Sequence, residues 1–207
     1  MTYSASSGAI GACANCGSDR LRVIDGYFDD ARRSPRALAA GDHATLIYDD
    51  PAIVAPFCAR FLSDGVNASE RVVAAIPDDL REAVSAVLAS DVQSAVEWQP
   101  PVLFEGDFDA GQAAASYEAL ITAEPRAPRI LAAPDGESIA DVDADAFGRF
   151  EAMAHTVITG HGATVVCVYD TRAVPPAFLD MTERRHGLLV ENGGAVRRNE
   201  RFEYESA

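Results

Sequence analysis

The stretch Ala44-Thr45-Leu46-Ile47-Tyr48-Asp49-Asp50-Pro51 decides the fold. Five β-prone, mostly apolar residues stop abruptly at two aspartates and a proline. A strand with no polar alternation is buried on both faces, the condition of a parallel sheet held between helices. Asp50 then offers a side-chain oxygen to cap a helix, and Pro51, with no N–H to lose, fits its first turn. The unit is strand, short acidic turn, helix. The helix runs through Phe57, Phe61 and Leu62 to a loop at Asp64-Gly65.

The same punctuation recurs downstream. Residues 71–76 (RVVAAI) read as a second strand ending at Pro77-Asp78-Asp79, with an amphipathic helix over 80–89. Residues 102–104 are a third strand candidate, 112–123 read as helix, and 129–133 as a strand ending at Pro134-Asp135-Gly136. The longest helix covers 141–159, where Phe147, Phe150, Met153 and Val157 recur at spacings of three and four. Residues 164–169 (TVVCVY) are a strand running into Asp170, and a last helix lies over 176–184. Residues 187–190 and 195–198, joined through Asn192-Gly193-Gly194, read as a terminal hairpin. The expected fold is α/β, a mostly parallel sheet covered by helices on both faces, closing on that hairpin. Residues 41–207 form this domain. Residues 1–40, small and polar apart from a short strand near 20–24, are expected to be a flexible or loosely docked extension.

Charge narrows the partners. The chain carries 17 basic against 32 acidic residues, a formal net charge of -15. A field of that sign repels phosphate backbones, so a direct nucleic-acid partner is not expected. No apolar run approaches the ~18–20 residues of a membrane span, and the first residues lack the pattern of a secretory signal. Of the four cysteines, Cys58 and Cys167 sit in apolar stretches, where the thiol behaves as a small hydrophobe. Together these point to a reduced, cytoplasmic protein.

A doubly covered parallel sheet places its ligand crevice outside the carboxyl ends of its strands. Here those ends carry Tyr48-Asp49, Pro77-Asp78, Pro134-Asp135 and Tyr169-Asp170, with Arg172 two residues on. The candidate ligand-binding residues are therefore Tyr48, Asp49, Asp78, Tyr169, Asp170 and Arg172. The first strand-to-helix turn, Asp49-Asp50-Pro51, has neither the glycines nor the lysine with which a phosphate loop cradles a nucleotide. His155, four residues after Glu151, shares its helix side; the pair could shuttle protons or ligate a metal, but reads first as a satisfied surface pair. His43, before the first strand, stands at the amino end of the sheet, away from the crevice. Cys13-x-x-Cys16 supplies half of a tetrahedral zinc site; a zinc knuckle, a redox dithiol and an inert pair all stay open.

Four pieces of the run from His43 to Phe202 resemble one family. Asp42-His43 with Tyr48-Asp49 is similar to its entry strand, and Pro56-Phe57, Phe61-Leu62, Gly65 and Glu70-Arg71 to its next segment. Tyr169-Asp170 followed by Pro175 and Phe178 resembles its late strand exit, and His186 with Arg197-Arg198-Asn199 its close. The family is MEDS, the methanogen, methylotroph and DcmR sensory domain. Gly187 departs from its usual proline, as does Ala133-Pro134 from its usual aromatic. The resemblance implies a RecA-like core without a working phosphate loop. It also implies a non-catalytic sensor of small, often hydrocarbon-like molecules in bacterial regulation, including transcriptional and sigma-factor control. Output through a regulatory protein partner is expected, and a homo-oligomer is left open. Two rivals remain: a zinc- or redox-responsive module working through Cys13 and Cys16, and an enzyme using Asp49, Asp78 and Asp170 as acid–base groups.

Overall fold

The computed structural model describes residues 37–101, 108–134, 136–139 and 141–203. The elements are β1 (His43–Tyr48), α1 (Pro51–Asn67), β2 (Val72–Ala75), α2 (Asp78–Val87), α3 (Ser90–Ala95), β3 (Glu97–Gln99) and α4 (Ala110–Thr122). They continue as β4 (Arg129–Ala132), α5 (Gly136–Ile139), α6 (Ala144–His161), β5 (Thr164–Asp170), α7 (Pro176–Arg185), β6 (Leu188–Val190) and β7 (Val196–Arg198). The strands form one sheet in the order β3-β2-β4-β5-β1-β6-β7. Every pairing is parallel except β6 with β7, the antiparallel hairpin expected at the C-terminal end.

Local chemistry sets the element ends. Asp50 accepts a hydrogen bond from the Ala52 amide at 2.9 Å and caps α1, with Pro51 in its first turn. Asp109 and Asp143 cap α4 and α6 in the same way, each accepting from the amide three residues on. Gly162, at φ 69°, takes the left-handed conformation that ends α6, where a side chain would be strained.

Two apolar layers enclose the sheet. Leu46, Val166 and Val168 pack under α1, α2 and α3 with Phe61, Leu62, Leu80 and Val84. Val165, Ile130 and Tyr169 pack under α4, α6 and α7 with Phe147, Phe150, Ile158 and Phe178. Alternate residues of one strand serve opposite layers, as the pleat requires.

Two differences from the sequence expectations stand out. The third strand among the described residues is Glu97–Gln99; the candidate at 102–104 lies outside them. As an edge strand it is covered less deeply and carries no continuous apolar run. The short helix α3, with no side chain capping it, was absent from the sequence reading. The strand near 20–24, Cys13 and Cys16 also lie outside the described residues.

Candidate functional site

The crevice predicted at the carboxyl ends of the strands is present, as an open cavity of about 480 Å³. Tyr48 closes it from β1, Pro77 and Asp79 from the β2–α2 turn, Pro134 from beyond β4, and Val168 and Asp170 from β5. Its size falls within the range of small-molecule pockets. The Tyr48 ring is buried, and its hydroxyl has no hydrogen-bond partner among the described residues. Burial, chiefly, with help from Asp170 and Asp79, drives its acidity well below that of free tyrosine, so it stays a neutral donor.

Arg172 bridges two carboxylates of this cavity. Its Nε donates to Asp170 Oδ1 at 2.9 Å, and its Nη2 donates to Asp170 Oδ2 at 2.5 Å and Asp79 Oδ2 at 2.8 Å. Partial burial would raise the Asp170 carboxyl, but the hydrogen bonds and charge of Arg172 outweigh it and hold the group below its ordinary value. The loop between Asp170 and Val174 is tight, with the Val174 amide donating back to the Asp170 carbonyl at 2.9 Å.

Three expectations about this rim change. Asp49 and Asp78 are exposed and do not line the cavity; Asp79, the next residue of the α2 turn, does. The triad Asp49, Asp78 and Asp170 is therefore not assembled as an acid–base group around this cavity. Tyr169 does not share the crevice with Tyr48. It pairs with Ile47 in the β1–β5 ladder, so its ring lies in the opposite layer.

In that layer Tyr169 belongs to a polar cluster the sequence reading missed. Its hydroxyl donates to Glu151 Oε1 at 2.6 Å. Glu151, on α6, is 2 % exposed, so it belongs to the core and not to the helix surface. Its other oxygen, Oε2, lies 3.7 Å from His43 Nε2 and 3.6 Å from His186 Nε2. His43 Nε2 is also 3.3 Å from Cys167 Sγ. The His43 and His186 rings are 4.0 Å apart, and the His155 ring stands 5.6 Å from that of His43.

Burial governs the charges here. It lifts the Glu151 carboxyl to about 7, against the opposing pull of the Tyr169 hydrogen bond. It lowers His186 to about 4, partly offset by the hydrogen bond to the Thr182 carbonyl, and lowers His43 well below its ordinary value with help from the neighbouring imidazoles. Both imidazoles are neutral at pH 7. His186 Nδ1 donates to the Thr182 carbonyl at 2.7 Å, which leaves a lone pair on Nε2 facing Glu151. A small cavity of about 20 Å³ touches His43, Glu151, Cys167, Tyr117 and Tyr169. It has room for a water molecule or an ion, not for an organic ligand.

The available signal was parity. His43, Thr45 and Ile47 alternate with Ala44, Leu46 and Tyr48, and Cys167 and Tyr169 alternate with Val166 and Val168. Each strand reads as apolar, yet His43, Thr45, Cys167 and Tyr169 share one face, while Tyr48, Thr164 and Asp170 on the other stand only at strand ends. Cys58 does behave as the small hydrophobe expected, fully buried, its thiol pushed up to about 12 by burial.

Among known structures the chain is similar to the flagellar accessory protein FlaH from Methanocaldococcus jannaschii. The TM-score is 0.52 at 12% identity, covering 88% of this chain and 90% of that one. It also matches the RadB recombinase at a TM-score of 0.46 and 13% identity, over 74% of each chain. The fold is RecA-like. Among curated proteins no sequence matches significantly. The family description "MEthanogen/methylotroph, DcmR Sensory domain" matches residues 42–186, most of the chain, and its start at Asp42 and end at His186 bracket the crevice and the buried cluster. The chain belongs to the MEDS family of sensory domains.

Proposed function

We propose that this sensory domain binds a small, largely apolar molecule in the crevice at the ends of β1, β2, β4 and β5, and reports its occupancy to a regulatory protein. The observation that carries the reading is the Tyr48 hydroxyl, buried against the cavity with no partner among the described residues. An unpaired buried donor is costly, and a ligand oxygen or halogen placed there relieves the cost. Ala133, Pro134, Val168 and Val174 supply apolar walls. Arg172 supplies the moving part, because a ligand reaching Asp170 or Asp79 competes for the bonds that now join them.

Sensing without turnover agrees with the chemistry of the β1–α1 turn. Asp49-Asp50-Pro51 presents two carboxylates where a nucleotide-hydrolysing relative needs a glycine-rich amide nest. The chain contains no lysine at all; its 17 basic residues are arginines, so no segment of it can supply a phosphate-loop lysine. With a net charge of -15, its partner in transcriptional or sigma-factor control is a protein surface and not a nucleic acid.

The test is a thermal-shift screen of short-chain alcohols, aldehydes, ketones and halogenated hydrocarbons against the wild type and Tyr48→Phe. A ligand at 100 times its Kd stabilises the fold by about 2.7 kcal/mol. Compounds that stabilise the wild type are expected to bind Tyr48→Phe at least about tenfold more weakly. Equal affinities would remove the crevice as the sensing site. ATP or GTP turnover abolished by substituting Asp49 or Asp50 would overturn the non-catalytic reading.

A further inference from the structure

We infer that His43, Glu151, Cys167 and His186 form a closed binding site for one transition-metal ion of zinc-like preference, inside the core and separate from the crevice. The inference does not depend on the crevice binding a ligand.

Four observations lead to it. The donor set is two imidazole nitrogens, a thiol sulfur and a carboxylate oxygen, and these atoms all lie within 4.8 Å of one another. Metal–ligand bonds of ~2.0–2.3 Å arranged tetrahedrally imply donor separations of about 3.3–3.6 Å. Three of the six separations, 3.3 Å for His43–Cys167, 3.6 Å for His186–Glu151 and 3.7 Å for His43–Glu151, are within a few tenths of an ångström of that range. The other three are at most 4.8 Å and close by about an ångström at most. Second, two of the inward-facing donor atoms lack partners among the described residues, whereas at His43 the inward Nε2 meets Cys167 Sγ and the outer Nδ1 is the unpaired atom. Glu151 Oε2 and His186 Nε2 are buried and unpaired among the described residues. The outward atom of each side chain is held instead, Glu151 Oε1 by the Tyr169 hydroxyl and His186 Nδ1 by the Thr182 carbonyl. Outer partners of this kind orient metal ligands and fix the imidazole tautomer.

Third, a small cavity lies beside the donors. The small cavity is bounded by His43, Glu151 and Cys167, three of the four ligands. Fourth, the charges close. A divalent ion bound by a thiolate, a carboxylate and two neutral imidazoles is neutral overall, so burying it avoids the cost of an isolated charge. On binding, the Cys167 S–H bond breaks as the sulfur–metal bond forms, and that proton leaves for solvent with any proton then carried by Glu151. With four protein ligands no position stays open for substrate. The site is therefore structural or metal-sensing, not catalytic.

The ligands come from the start of β1, the middle of β5, the body of α6 and the α7–β6 junction. An ion would tie these four elements together. His186 passes the constraint on, since its backbone carbonyl accepts from Asn199 Nδ2 at 2.8 Å, just beyond β7. A lone buried water would satisfy the same atoms, and the experiment separates the two.

The full-length chain carrying Cys13→Ser and Cys16→Ser, so that the CxxC cannot contribute, is stripped with a chelator and titrated with cobalt(II) under reducing, oxygen-free conditions. One equivalent should bind, with a thiolate-to-cobalt charge-transfer band in the near ultraviolet and the strong visible bands of a tetrahedral centre. Cys167→Ala should lose the charge-transfer band, and Glu151→Gln should bind at least about tenfold more weakly. Zinc should displace cobalt and raise the Tm. Should Cys167→Ala fail to fold, the near-isosteric Glu151→Gln decides through its affinity alone. No cobalt spectrum, or affinity unchanged in the variant that folds, would overturn the site and leave the cluster to water.

Discussion

The two faces of the central strands are built on opposite principles. Towards α1 and α2, Leu46, Val166 and Val168 meet Leu62 and Leu80 in a layer of apolar side chains, its buried Arg129 stacked on the Phe61 ring. Towards α6, the alternate residues His43, Thr45, Cys167 and Tyr169 meet Glu151 and His186. Both layers are largely buried, Cys167 being only partly exposed, so exposure does not explain the difference. Dry packing gains its energy from contact and volume, and tolerates little change in either. A buried polar set costs desolvation and returns it only when each atom has a partner, which makes it a poor source of stability and a good place for binding. The lesson is that a uniformly buried strand can keep its function on one pleat and its stability on the other.

The largest expected effect lies on the dry face. Leu46 is fully buried in the middle of β1, and Leu46→Ala should destabilise the domain by about 2–5 kcal/mol, read by urea unfolding at neutral pH. A loss well under 1 kcal/mol would mean that this layer is not close-packed, and the contrast would fail. The polar face should respond less and in a coupled way. Tyr169→Phe removes the hydroxyl bound to Glu151 Oε1 and should cost about 1–3 kcal/mol in metal-free protein, because a buried carboxyl oxygen is left unpaired. In a Glu151→Met background the same change should cost much less, since the group it satisfied has gone. Additive costs would show that Tyr169 contributes by ring packing alone, and that the two faces obey one rule.

This contrast also explains what could be read from the sequence. The parallel sheet was legible because β1, β2, β4 and β5 are apolar runs cut off by Asp or Pro, and the β6–β7 turn because it contains Asn192-Gly193-Gly194. The crevice was legible in part: Tyr48 and Asp170 line it, and Arg172 stands at its rim, paired with Asp170. Asp49 and Asp78 misled because a turn displays its acids in several directions, and of Asp49, Asp78 and Asp79 only the last lines the cavity. Tyr169 misled because adjacent strand residues point to opposite faces. The cluster stayed hidden because it joins distant parts of the chain, with Glu151 18 residues from Tyr169 and His43 143 from His186, and only the register of β1 on β5 and the placement of α6 bring them together.

The smallest effect expected is at the crevice rim, where the Arg172 bridge is half-exposed and screened by water. Pairs of this kind add little stability, so Arg172→Met should lower the Tm by no more than about 2 °C at neutral pH. Its pH dependence is the sharper readout. Arg172 holds the folded Asp170 carboxyl below its ordinary value of 3.8. Its contribution is then fully present above that value and fades as pH falls through the folded one, because there the unfolded chain binds more protons than the folded. Wild type and Arg172→Met should therefore differ by a small, constant amount from pH 7 to about pH 5, and converge on further acidification. Molar salt at neutral pH should also shrink the gap, since it screens exposed charges. A gap that persists to about pH 3 and ignores salt would assign the arginine's contribution to its aliphatic stem packing on the rim. In that case the bridge would not be the part of the crevice that a ligand displaces.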